Sequence, residues 1–196
     1  MTTSRASIIV PGSGMGLYVH VPFCKTKCPY CDFNSHKADK VLPEADYIAA
    51  LLDDLDVDLD YLEQQGVAKR PIQSIFIGGG TPSLLSVKAY EDLFSGLKRR
   101  LDFVDSIEIT MEANPSTFEA DKFIGYRQLG INRLSIGIQS FADHQLKHLG
   151  RIHSGQEAIN AVQMAKDAGF NNFNLDFMHG LPDQSLEQAL DDLKQG

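Results

Sequence analysis

Ser106-Ile107-Glu108-Ile109-Thr110-Met111-Glu112 alternates apolar and polar residues after its first position, and this alternation decides how the chain folds. Successive side chains of a β-strand point to opposite faces. Ile107, Ile109 and Met111 therefore share one face, and Glu108, Thr110 and Glu112 the other. The same parity recurs in three more segments. In 17–21, Leu17, Val19 and Val21 oppose Tyr18 and His20. In 133–139, Leu134, Ile136 and Ile138 oppose Arg133, Ser135, Gly137 and Gln139. In 172–178, Phe173, Leu175 and Phe177 oppose Asn172, Asn174, Asp176 and Met178. A parallel strand covered on both faces reads instead as a continuous apolar run. Each of these four carries one apolar face, to lie under helices, and one polar face.

Outward from these segments, β-rich runs begin near Leu17, Ser74, Ser106, Arg133 and Asn172, the spacing of βα units. Helical patterns fill the intervals. The first runs from Pro43 to about Gln65, with Ile48, Leu51, Leu52, Leu55, Leu59 and Leu62 on one face. Its other face carries Asp53, Asp54, Asp56, Asp58, Asp60 and Glu63, which reads as a solvated surface rather than a cation site. Further helices are expected over 86–101, 119–129, 154–168 and from 185 onward. This β-α order predicts an α/β fold with a parallel sheet and right-handed crossovers, as an open barrel or a doubly wound sheet.

A closed barrel of this kind fills its interior with branched apolar side chains, so a polar inner face implies a cavity. Active sites of such folds lie at the C-terminal strand ends. Those ends are Cys24 onward, Gly78-Gly79-Gly80-Thr81-Pro82, Glu112-Ala113-Asn114-Pro115, Gln139-Ser140, and Asp176 with His179-Gly180-Leu181-Pro182. The three glycines match neither a dinucleotide fingerprint nor a P-loop. They let a ligand approach the backbone, or simply make a tight turn.

All three cysteines lie in one window, Cys24-Lys25-Thr26-Lys27-Cys28-Pro29-Tyr30-Cys31. Structural zinc and ferredoxin-type clusters each want four ligands. Three thiolates make most sense on a [4Fe–4S] cluster whose fourth iron binds a small molecule. The bland alternatives are a Cys3His zinc site recruiting His20 or His36, disulfides that leave one cysteine over, or inert buried thiols. The Lys25 and Lys27 ammoniums favour thiolates. Of the other histidines, His179 sits where a cavity ligand could sit, as does His20, while His36, His144, His148 and His153 fall in loops or helices.

A chain of 196 residues buries one sizeable core, in one domain or two. Its net charge of −8 argues against a bare nucleic-acid binder. No stretch is apolar for long enough to span a bilayer, and the N-terminus is too short and polar for a signal peptide. Cysteines kept free for a metal fit a reducing, cytoplasmic compartment. The sequence stops within an amphipathic helical pattern, Asp191-Asp192-Leu193-Lys194-Gln195-Gly196, as expected of a fragment.

The C-x3-C-x2-C spacing resembles the signature of radical S-adenosylmethionine (SAM) enzymes. Further motifs are Tyr18-Val19-His20-Val21-Pro22-Phe23-Cys24, Pro29-Tyr30-Cys31-Asp32-Phe33-Asn34-Ser35 and Gly78-Gly79-Gly80-Thr81-Pro82-Ser83. Others are Glu112-Ala113-Asn114-Pro115, Ser135-Ile136-Gly137-Ile138-Gln139-Ser140-Phe141, Gly150-Arg151-Ile152-His153 and Gly180-Leu181-Pro182. Together they are similar to the oxygen-independent coproporphyrinogen III oxidase family, nearest its HemW-type heme-chaperone branch.

The resemblance implies a partial (β/α)6 radical-SAM barrel, truncated after about the fifth βα unit. It would comprise an extension over 1–15 and a core over 16–196, without the family's C-terminal domain. It implies a [4Fe–4S] cluster on Cys24, Cys28 and Cys31, with SAM on the open iron through its amino and carboxylate groups. The family's SAM contacts fall on Tyr18, Tyr30, Gly79, Gly80, Thr81, Glu112, Gln139, Arg151 and Asp176. Glu112 and Asp176 would accept from the ammonium or ribose, and Arg151 would pair with a carboxylate.

Two departures from the oxidases matter. They carry a further cysteine where this chain has Phe33, and a longer arm before the position of Tyr18. Both point to a heme chaperone that delivers heme to apo-proteins, with coproporphyrinogen III oxidation as the alternative activity.

Overall fold

The computed structural model describes residues 14–38, 41–115 and 120–196. Most of the expected extension over 1–15 therefore lies outside the described residues, as does residue 119 of the expected helix over 119–129.

The chain enters on β1 (Met15–Val21), followed by a small parallel pair, β2 (Phe23–Cys24) and β3 (His36–Lys37). Helix α1 (Glu44–Gln64) leads to β4 (Ile72–Gly79), a 3-10 turn over Pro82–Leu84, and α2 (Val87–Lys98). Next come β5 (Phe103–Ala113), α3 (Ala120–Gln128) and β6 (Arg133–Gln139). A short α4 (Asp143–His148), α5 (Gly155–Asp167), β7 (Phe173–Phe177) and α6 (Leu186–Gln195) complete the order.

The main sheet runs β1-β4-β5-β6-β7, every pair parallel. Strand order follows chain order without reversal, which is barrel winding rather than the switch-point order of a doubly wound sheet. Five βα units are present, with β1 and β7 at opposite ends of the array.

Parity sorts the strands as the alternation predicts. Val19, Val21, Ile109, Met111, Leu134, Ile136 and Ile138 are buried in one apolar core with Leu93, Phe94 and Leu97 of α2. Phe123 and Tyr126 of α3 and Ala158 and Ala165 of α5 cover the same layer. On the opposite parity Tyr18 is exposed and Glu112, Gln139 and Asp176 are half-buried. Thr110 and Ser135 are the exceptions, polar-face residues that are buried.

Local chemistry starts the helices where expected. Ser154 with Glu157 and Ser185 with Gln188 close reciprocal capping boxes on α5 and α6. Ser86 caps α2, and the Glu44 carboxylate of α1 accepts from both its N–H (2.7 Å) and its hydroxyl (2.6 Å). The acidic face of α1 is exposed, with Asp56 paired to Arg100 at 2.6 Å. β5 begins at Phe103, ahead of the expected Ser106, because Phe103 pairs with Ile72 across a register shift. Among the described residues no helix is long and apolar enough to cross a membrane.

Candidate functional site

A cavity of about 580 Å³ opens at the C-terminal strand ends, and Cys24, Cys28 and Cys31 line it as free thiols. The loop that carries them is laced to the barrel mouth through its backbone. His36 N–H donates to Pro22 O and Ala38 N–H to Cys24 O, both at 2.7 Å. Lys27, expected beside the thiolates, instead sends its ammonium to the carbonyls of Phe33 (3.1 Å) and Ser35 (2.9 Å).

Of the histidines at cavity positions, His20 is held by hydrogen bonds. His20 Nε2 lies 2.7 Å from Asn34 O, and a carbonyl only accepts, so Nε2 carries the proton. Nδ1 then accepts from the Tyr18 hydroxyl at 2.8 Å. Both ring nitrogens are engaged, so His20 braces the cysteine loop rather than offering a ligand. His179 is exposed and off the cavity wall, and His36 sits exposed in β3.

The glycine loop packs closely on its own chain. A Cβ at Gly80 would lie 2.7 Å from Phe23 O and 2.9 Å from Val21 O. Gly79 has φ +114°, and its Cβ would meet the His20 ring at 2.6 Å. The close approach these glycines permit is first that of the chain's own β1–β2 backbone, clamped by Gly80 N–H to Val21 O and Thr81 N–H to Phe23 O at 2.7 Å each. Gly79, Gly80 and Thr81 still line the cavity.

Opposite them, Glu112 Oε2 accepts from Gly79 N–H at 3.0 Å. Burial raises the Glu112 pKa; the Gly79 bond opposes that rise and Asp176 reinforces it. Asp176 accepts from Ser135 Oγ (2.8 Å) and Asn174 Nδ2 (2.7 Å), two polar-face neighbours that fix its carboxylate. Gln139 lines the cavity in left-handed backbone, φ +68°, uncommon outside glycine. Such strain clusters at functional sites.

Arg151 reaches the wall from beyond α4. Its Nη2 donates to Gly137 O at 2.5 Å, and its Nη1 lies 3.5 Å from the Tyr30 hydroxyl and 3.6 Å from Cys28 Sγ. Burial raises the Tyr30 pKa, with Arg151 opposing. Among the described residues no carboxylate is hydrogen-bonded to Arg151, and its buried Nε has no partner.

Tyr18 stands just off the wall. Its ring stacks on Phe76, which lines the cavity, at 6.2 Å between centroids. Burial, then Glu112, raises its hydroxyl pKa. Sequence reasoning missed the apolar wall of Phe76 and Met178, and also Ser135. Ser135 was legible as a polar-face residue one position across from Glu112 in the ladder.

The cavity thus joins two carboxylates, a guanidinium and three thiols to an apolar wall. Its volume suits a small organic ligand. The sequence profile of the radical SAM superfamily matches residues 18–195. The chain belongs to the radical SAM superfamily. It is 55% identical over 181 residues to proteins named heme chaperone HemW from Haemophilus influenzae and from Escherichia coli K12, covering 92% of this chain and 47% of each relative. The chain spans about half the length of these relatives. The solved structure of the coproporphyrinogen III oxidase HemN of Escherichia coli, a radical SAM enzyme, superposes with a TM-score of 0.81 at 30% identity. That match covers 93% of this chain and 41% of the other. The five βα units are therefore a truncated radical SAM barrel.

The donor set fits the group this superfamily implies. Among the described residues no three His, Cys, Asp or Glu side chains gather at single-ion spacing. A cubane cluster takes each thiolate to a different iron, and three free thiols line this cavity to supply them.

Proposed function

We propose that residues 16–196 are the radical SAM core of a cytoplasmic heme chaperone, which binds a [4Fe–4S] cluster, SAM and heme and delivers heme to apo-proteins. The observation that carries this reading is the 55% identity, over 92% of the chain, to relatives named as heme chaperones. Phe33 on the cavity wall agrees with it, since the resemblance places a cysteine there in the oxidases.

Cys24, Cys28 and Cys31 would hold the cluster, which when bound supplies the electron for reducing a sulfonium. The chain's own residues then bind and orient. Glu112 and Asp176 offer acceptors to an ammonium or ribose hydroxyls, and Arg151 offers donors to a carboxylate. Gly79, Gly80, Thr81 and Gln139 shape the wall between them. Tyr18 beside the cluster loop and Tyr30 within it offer amphipathic faces.

Anaerobic oxidation of coproporphyrinogen III is the second reading, favoured by the fold's TM-score of 0.81 against the HemN oxidase. Full-length protein, reconstituted anaerobically and given SAM and a strong reductant, separates the two. Stable heme binding without conversion of coproporphyrinogen III is expected. Multiple-turnover formation of protoporphyrinogen would establish the oxidase reading instead.

A further inference from the structure

The three thiols are not equivalent. Among the described residues, no side-chain donor is hydrogen-bonded to Cys24 or Cys31, whereas Cys28 Sγ receives the Arg151 guanidinium at 3.6 Å. That contact joins residues 123 positions apart in sequence.

Several features hold the guanidinium there. Its other terminal nitrogen is fixed on Gly137 O at 2.5 Å. A Cβ at Gly137 would lie 3.0 Å from that nitrogen, so the missing side chain is what gives it room. The preceding residue, Gly150, has φ +67°, and its Cβ would sit 2.8 Å from Pro29 Cδ in the cysteine loop. The backbone before Arg151 is thus packed directly on the residue between Cys28 and Tyr30. Arg151 N–H also donates to Leu146 O at 2.9 Å, which ties it to the end of α4.

We propose that Arg151 tunes the reduction potential of the cluster by holding a positive N–H donor on the Cys28 sulfur. The inference rests on the proposal that the three cysteines carry a [4Fe–4S] cluster. Reduction adds one electron, and a fixed cation beside a ligand sulfur stabilises the more negative state. Hydrogen bonds to the sulfurs and local charge are among the features that set such potentials. Arg151 would therefore raise the potential, and Cys28 would be the ligand through which it does so. This role is separate from any contact with SAM, because the bond joins two of the chain's own side chains.

The test is a redox titration of the reconstituted chain without SAM, poised with dithionite and mediators and read by electron paramagnetic resonance. Arg151→Met keeps bulk but removes charge and donors. It should lower the reduced-to-oxidised ratio about tenfold at fixed solution potential, a shift of about 59 mV to lower values for one electron. Arg151→Gln keeps a neutral donor and should give a smaller fall in the same direction. Should the Met variant fail to hold a cluster, the Gln variant decides by itself. A cluster of unchanged potential in the variants overturns the tuning role and leaves the cluster proposal standing. Absence of a cluster from the unmodified chain overturns both.

Discussion

Gly79 N–H donates to Glu112 Oε2 at 3.0 Å, so the end of β4 and the end of β5 meet at one carboxylate. Only one of its two oxygens is taken by this bond, and the side chain lines the cavity beside the cysteine loop. Glu112→Gln should weaken SAM binding by about 1.5–3 kcal/mol, the range for a hydrogen bond to a charged group, while leaving the cluster intact. Calorimetric titration of SAM into both proteins at equal iron content checks this. Equal affinities would remove Glu112 from the binding role.

Gly80→Ala should destabilise the chain by about 1–3 kcal/mol, the usual range for overpacking. The new Cβ would meet Phe23 O at 2.7 Å and the Pro22 carbonyl carbon at 2.9 Å, and backbone has little room to move. A lower urea midpoint with unchanged slope is the expected result.

His153 gives a pH prediction. Its Nε2 lies 3.1 Å from Ile138 O and so carries the ring proton, while Nδ1 is buried without a partner among the described residues. Burial, then the nearby Arg151 charge, lowers its pKa below the ordinary 6.5. The unfolded chain therefore takes up the second ring proton first. The stability contributed is fully present above pH 6.5 and is lost as pH falls from there towards the lower folded value. Urea midpoints should drop between about pH 7.5 and about pH 5.5, and drop less in His153→Gln.

The sequence was most legible where periodicity met a cap or a strand end. Alternation placed Tyr18, Glu112, Gln139 and Asp176 on one polar face, and eight of the nine proposed SAM-contacting residues line a single cavity. The helix expected over 154–168 runs over Gly155–Asp167, because Ser154 and Glu157 announce its start. Helix α4 was missed, since six residues, Asp143-His144-Gln145-Leu146-Lys147-His148, are too few to show an apolar stripe. The pair β2–β3 is shorter still. Long-range contacts were out of reach of any spacing argument. Asp192 of α6 accepts from Ser140 Oγ (2.7 Å) and Phe141 N–H (2.8 Å), yet in sequence it is one acidic residue among several. The left-handed backbone of Gln139 and the two-sided engagement of His20 belong to tertiary geometry in the same way.

The central claim is that Cys24, Cys28 and Cys31 carry a [4Fe–4S] cluster. Its most direct test is iron and acid-labile sulfide per chain after anaerobic reconstitution, for the unmodified chain and for the triple variant Cys24→Ala, Cys28→Ala, Cys31→Ala. The account predicts about four iron and about four sulfide per unmodified chain, with visible thiolate-to-iron absorbance, and loss of all three in the variant. Undiminished iron, sulfide and absorbance in the triple variant would contradict it.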